Sequence, residues 1–291
     1  MKQTQFLILS DKRKLCYAEY GDDSGFPVLY CHGFPASRLE ARLADSEARR
    51  QGVRIIAVDR PGFGRSDFMA ARTMLDWPED VRALMKHLRI EKFSVIGVSG
   101  GAPHAMSCAV RLSEHIYKVG LVSGLGYLGD MHSAEQLRKP FTLIVKLFIS
   151  SAATGHLMVK HLIGRLLKAF PGFALTMIKN LSSEQDKQLL SDPVIRSCIY
   201  ASLKEAFYQG SGGPAWEFYL YTKPWGFDIR SISAETYLWH GDLDRTVPVI
   251  MAKRHAELIP RAHLTLFPNE GHFSVPIRHV DEILQTLREG A

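Results

Sequence analysis

The chain has 291 residues, 46% hydrophobic and 23% charged, with a formal net charge of +6, and a chain of this length buries about 75% of its extended surface in a sizeable core. The basic balance is mild and no basic run marks a nucleic-acid arm, so nucleic acid is not an expected partner. The opening MKQTQFLILSDKRK holds an apolar run of only four residues, Phe6–Leu9, too short for a secretion signal; the apolar stretch 141–163 is broken by Lys146, His156 and Lys160, which excludes a membrane span.

In chain order, QFLILS and LCYAEYG alternate around a charged turn and predict an antiparallel hairpin. PVLYCHGFP is a near-continuous apolar strand ending at Gly33 and Pro35. A helix over about 38–51 leads to VRIIAVDRPGFG, another apolar strand that ends in turn residues. A second helix over roughly 73–88 precedes the strand KFSVIGVS, and a third, after Ser99, runs to about His115 and feeds YKVGLVSG. Strands apolar on both faces that alternate with helices indicate a parallel sheet covered on both sides. The alternation stops over 125–227, where several amphipathic helices and no convincing strand are expected. It resumes with ETYLWHGDLD, a helix Val249–Leu258, HLTLFPNEGH and a final helix Val280–Arg288. The expected organisation is an α/β core from 1–124 and 228–291 with a helical insertion, 125–227. Cys16, Cys31, Cys108 and Cys198 lack metal-ligand spacing and read as reduced thiols of a cytoplasmic protein.

VIGVSGGAP, Val95–Pro103, is the stretch with the most chemistry in it. A strand followed by G-x-S-x-G and a helix is the nucleophile-elbow pattern, here Gly97-Val98-Ser99-Gly100-Gly101. The bend projects the serine hydroxyl above the sheet, and its glycines are small because side chains there would strike the neighbouring strand and helix. A serine hydroxyl is a poor nucleophile until an adjacent base, held by a third group, activates it. His272 follows an apolar strand in NEGHFS, and Asp242 and Asp244 follow another in WHGDLDRTVP. Those are the strand ends where α/β sheets assemble their sites.

With these residues the chain resembles an α/β-hydrolase-fold serine hydrolase with a helical cap, of a bacterial esterase-like kind. The resemblance also rests on His32-Gly33-Phe34 and on DRPGFGRS, Asp59–Ser66. It implies Ser99 as nucleophile, His272 as base and Asp244 as the acid. Asp244 is preferred over Asp242 because it stands three residues beyond Gly241 and shortly before Val247-Pro248; Asp130 is a poor third choice. The backbone N–H groups of Gly100 and Phe34 are the expected oxyanion donors, Pro35 having none. No metal or cofactor is implied. His32 and His104 read as structural, as does DRPGFGRS.

The substrate expected is a small molecule, an ester of a small to medium, apolar acyl group. Amidase or iminopeptidase, thioesterase, C–C hydrolase and acyltransferase chemistry share the same residues, and a non-catalytic ligand-binding receptor is the alternative of another class. An epoxide hydrolase or dehalogenase needs an aspartate where Ser99 stands. Within the insertion, Arg138, Lys139, Lys146, Lys160, Arg165 and Lys168 are interleaved with apolar residues. They read either as an amphipathic pair with a solvated basic face or as a cap for lipophilic or anionic substrates, or for an anionic membrane surface. Trp216, Tyr219, Tyr221 and Trp225 are candidates for pocket lining, although aromatic residues in such an insertion more often serve packing. The scarcity of acids early in the insertion argues against holding a substrate ammonium, although Glu205 and Glu217 follow later.

Overall fold

A computed structural model describes residues 2–129, 135, 137 and 139–289. Eight strands, β1 (Lys2–Ile8), β2 (Lys14–Gly21), β3 (Phe26–Cys31), β4 (Val53–Val58), β5 (Phe93–Val98), β6 (Ile116–Val122), β7 (Glu235–Gly241) and β8 (Ala262–Phe267), form one sheet in the order β1-β2-β4-β3-β5-β6-β7-β8. The β1–β2 hairpin is antiparallel, as is β2 to β4, and every later pairing is parallel. From β3 the chain steps outward to β4 and then crosses back to β5 on the other side. The carboxyl ends of β3 and β5 therefore flank a topological switch point, where open α/β sheets form their crevice. All of β5 is buried, whereas the edge strand β8 is only partly so, which accounts for the apolar run in the one, interrupted only by Ser94 whose hydroxyl donates to the Leu287 carbonyl, and the alternation in the other.

Helices cover both faces. Those of the core are α1 (Asp45–Arg50), α2 (Trp77–His87) and α3 (Ala102–Arg111). Between β6 and β7 lie α4 (Lys139–Ser150), α5 (Ala152–Met158), a π turn (Val159–Ile163), α6 (Gly164–Ala169), α7 (Pro171–Leu181), α8 (Glu184–Leu189), α9 (Pro193–Ala206) and α10 (Gly212–Tyr221). The chain then adds α11 (Val249–Leu258), α12 (Ser274–Arg278) and α13 (Val280–Arg288). Trp77, Val81, Leu84, Met106, Ala109 and Met251 bring α2, α3 and α11 onto one face of the sheet, and Ala48, Ile283, Leu284 and Leu287 bring α1 and α13 onto the other. Among the described residues no helix is long and apolar enough to cross a membrane. All four cysteines are buried and unpaired.

Two predicted helices differ from expectation, one in its start and one in its continuity. Over 73–76 the chain makes a turn instead, because the Asp76 carboxylate accepts the Thr73 N–H at 2.6 Å and the Thr73 hydroxyl at 2.7 Å; α2 begins beyond it, with Pro78 in its first turn. The helix expected over 38–51 divides into a 3-10 segment, Arg38–Ala44, and α1. At its start Asp59 accepts the Arg38 backbone N–H at 2.8 Å and also pairs with its buried guanidinium.

The insertion is tied to the sheet by a buried ion cluster. Glu217 on α10 is paired with Arg60 and Arg72, all three fully buried, and His104 Nε2 on α3 stands 3.4 Å from the same carboxylate. Burial would raise the Glu217 carboxyl, but Arg60, His104 and Arg72 outweigh it and hold it well below the usual carboxylate range. Glu217→Gln would leave two buried guanidinium groups without a counter-charge. Urea unfolding should read a loss of about 3–5 kcal/mol, against a change within about 0.5 kcal/mol for an exposed control, Glu135→Gln.

Candidate active site

Ser99 sits between β5 and α3 with φ +52°, a left-handed conformation that costs an L-residue energy and persists only where its surroundings enforce it. The enforcement is steric. A Cβ on Gly97 would stand 2.7 Å from Ala102 Cα and 2.8 Å from Ala105 Cβ, and one on Gly101 would overlap the Cys31 carbonyl of β3. Strand, bend and helix thus pack closer than any larger residue permits. The N-terminus of α3, with Pro103 in its first turn, points toward the same place and brings the positive end of its dipole there.

His272 lies beyond β8 and Asp244 beyond β7, and the structure brings both to Ser99. His272 Nδ1 is 2.8 Å from Asp244 Oδ2, and His272 Nε2 is 3.0 Å from Ser99 Oγ. A carboxylate only accepts, so Nδ1 carries the proton and Nε2 is left to accept from the Ser99 hydroxyl. Asp244 Oδ1 accepts the backbone N–H groups of Thr246 at 2.8 Å and Val247 at 2.9 Å. A second buried imidazole, His240, has its Nε2 3.3 Å from Asp244 Oδ2 and 2.9 Å from the Val247 carbonyl. Burial opposes the Asp244 charge, yet the His272 charge and hydrogen bonds from His240 and His272 prevail and keep the carboxyl well below its ordinary range. Burial likewise opposes protonation of His272, but Asp244 outweighs it and raises the imidazole above its usual value near 6.5. Such an arrangement can draw a proton from Ser99 and stabilise the imidazolium that results.

Asp242 is not at this site: it accepts the Asn269 N–H at 2.8 Å and joins the two loops from outside. Asp130 and Arg138 lie outside the described residues. Beside Ser99, Gly100 and Phe34 abut, a Cβ on Gly100 falling 2.7 Å from Phe34 Cβ. His32 is buried under them with its Nδ1 2.8 Å from the Gly33 carbonyl, and the DRPGFGRS turn folds around the Asp59 carboxylate, which takes the Arg65 N–H at 3.1 Å.

Ser99, His272, Phe34 and Gly100 face a cavity of about 650 Å³ whose wall is mostly apolar, with Leu128, Val145, Phe173, Leu203, Phe207 and Phe218 among its residues. The expected lining of Trp216, Tyr219 and Trp225 is not found there. Trp216 donates its indole N–H to the Arg72 carbonyl at 2.9 Å and packs against Tyr219 and His156, while Trp225 lines a separate cleft with Tyr127. Of the aromatic candidates only Tyr221 lines the cavity, and the other aromatic residues of the insertion that do so are Phe170, Phe173, Phe207 and Phe218. The choice between the two sets depends on helix rotation, which composition does not report. Neither Glu205 nor Glu217 reaches the cavity: Glu205 pairs with Arg38 and Arg65, and Glu217 lies in the buried cluster.

With this geometry in view, the family model for the alpha/beta hydrolase fold matches residues 27–277. The chain belongs to the α/β hydrolase family. It is similar to the 2-hydroxymuconate semialdehyde hydrolase of Pseudomonas putida, 26% identical over 276 residues that span 90% of this chain and 86% of that one. It is also similar to the non-heme haloperoxidase of Rhodococcus erythropolis, 24% identical over 282 residues and 92% of each chain. Among solved structures, a thermophilic esterase from Thermogutta terrifontis superposes with a TM-score of 0.73 at 21% identity, covering 99% of this chain and 97% of the other. That likeness is one of fold.

Two carboxylates of this α/β hydrolase site escape a reading of the sequence. Glu40 stands on the cavity wall and accepts the Gly33 N–H at 2.7 Å and the Tyr30 hydroxyl at 3.2 Å; burial raises its carboxyl above the ordinary value. Asp186, on α8 of the insertion and fully buried, accepts three successive backbone N–H groups: His272 at 2.8 Å, Phe273 at 2.9 Å and Ser274 at 2.9 Å. Its place inside EQDKQL looks like an ordinary charged helix surface. Only Gly271, where a Cβ would overlap Ser183 and Asp186, betrays the close approach. Asp186→Ala would leave three donors buried without an acceptor, an expected loss of about 3 kcal/mol. Calorimetry should register it as a Tm lower by roughly 6–12 °C, with a smaller drop for Asp186→Asn, which keeps an acceptor oxygen.

Proposed function

We propose that this α/β hydrolase is a serine carboxylesterase acting on esters of small to medium apolar acyl groups. The observation that carries the proposal is the hydrogen-bonded chain Asp244–His272–Ser99 opening into an apolar cavity of about 650 Å³. His272 Nε2 takes the Ser99 proton as Oγ attacks the ester carbonyl carbon. The N–H groups of Phe34 and Gly100 receive the oxyanion, and the alcohol leaves with the proton returned by His272. Water, deprotonated by His272 in turn, cleaves the acyl-enzyme to the carboxylic acid and free Ser99. The division into a core of 1–124 and 228–291 and a cap of 125–227 belongs to the same reading, the cap roofing the acyl pocket. Four buried free thiols support a reducing, cytoplasmic setting.

The likeness to a 2-hydroxymuconate semialdehyde hydrolase favours a second reading, in which the same residues act on a semialdehyde that carries a carboxylate. Arg245, which lines the cavity beside Asp244, supplies a cation for such a group. A series of p-nitrophenyl esters of increasing chain length, run beside amide, thioester and semialdehyde substrates, separates the two readings by their kcat/KM values.

A fluorophosphonate should label the wild type, and Ser99→Ala should lose both labelling and ester turnover; labelling that persists would reject Ser99 as nucleophile. Asp244→Asn should lower kcat by about 10⁴, since it removes the acceptor that fixes the imidazole tautomer. Because His272 titrates above its ordinary value, kcat/KM should be full at alkaline pH and fall as pH drops through a pKa above 6.5. A profile that stays flat well below that pH would rule out His272 as the base.

A further inference from the structure

Leu162, Leu166 and Phe170 are spaced four apart along the π turn, α6 and its end, and Phe170, Phe173 and Met177 continue the line along α7. All five are exposed, between 43% and 66%, an unusual concentration for side chains this large. Leu166, Phe170, Phe173 and Met177 also line the Ser99 cavity. The ridge is therefore the rim of the cavity mouth.

Its charge is one-sided. From Leu137 to Ser183 the sequence has seven Lys and Arg residues and no Asp or Glu. Lys160, Arg165 and Lys168 are exposed beside the ridge and have no carboxylate partner among the described residues. A second copy of the chain docked through this face would set these cations against their own kind, which is unfavourable. Exposed leucine and phenylalanine flanked by lysine and arginine instead match helices that lie in a lipid interface and are drawn to anionic headgroups.

We propose that this ridge docks on an anionic bilayer surface and turns the mouth of the Ser99 cavity toward the lipid. The apolar side chains enter the boundary between headgroups and acyl chains, while Lys160, Arg165 and Lys168 meet lipid phosphates. Acyl substrates dissolved in the membrane then reach the cavity without crossing water. The docking rests on the ridge and its charge, independently of the reaction at Ser99.

Vesicles of pure phosphatidylglycerol, compared with vesicles of pure phosphatidylcholine, test it by co-sedimentation. The protein should bind the former, more weakly as salt rises, and leave the latter free. Each basic residue near an anionic surface is worth about five-fold in partitioning, so Lys160→Glu with Arg165→Glu should weaken binding at least about 25-fold. Leu162→Ser, outside the cavity lining, should weaken it at unchanged charge. Both variants should keep the wild-type thermal unfolding and the wild-type rate on a water-soluble short-chain ester, which separates lost docking from lost folding or lost catalysis. Equal binding to both vesicles, no binding to either, or variants that bind phosphatidylglycerol like the wild type would overturn the proposal. So would self-association that the same substitutions abolish in the absence of lipid binding.

Discussion

The left-handed bend at Ser99 is the constraint on which the site depends. A residue with a Cβ adopts that conformation only when its neighbours leave no other, and here β3, β5 and α3 approach until Gly97 and Gly101 have no room for a methyl group. The same closeness sets Ser99 at the carboxyl end of β5, beside the end of β3, where the order of strands reverses. The loops after β7 and β8 end in the same region, so residues 145 and 173 positions farther along the chain come within hydrogen-bond distance of one hydroxyl group or of each other.

Buried carboxylates complete the arrangement, each by a different means. Asp244 is held by two backbone N–H groups and two imidazoles. Asp59 answers Arg38 and orders the DRPGFGRS turn. Glu217 balances Arg60 and Arg72, and the Tyr221 hydroxyl, 2.9 Å from it, also lies 2.8 Å from the Gly100 carbonyl. Burial works against every one of these charges; specific donors overcome it at Asp244 and Glu217, whereas at Asp59 burial outweighs Arg38 and leaves the carboxyl above its ordinary value. That trade explains why so many charged groups sit within a few residues of an apolar cavity.

Much of this was legible in the residues themselves. Strand runs with apolar side chains on both faces identified the parallel sheet, and the helices Val249–Leu258 and Val280–Arg288 have the bounds their periodicity predicts. Ser99, Asp244 and His272 carried local signatures: a glycine-flanked bend for one and strand-end loops for the others. What stayed hidden depends on how distant segments meet. Trp216 and Trp225 turn away from the cavity because of the rotation of α10 and the path of the chain after it. Glu40 and Asp186 look like surface charges on short helices, and the donors they take, Gly33 and Tyr30 in one case and the amides of 272–274 in the other, become visible only in the folded chain. The early start predicted for α2 failed for a local reason, the Asp76 turn, which competes with helix formation through the same hydrogen bonds.

The grip of Asp186 on residues 272–274 limits how the roof of the cavity can move. A lid that swung away as one rigid piece would pull α8 from the histidine loop and strand three amide protons in the interior. Any movement that keeps these three hydrogen bonds must carry α8 and the histidine loop together, so the downstream part of the insertion and His272 are mechanically coupled.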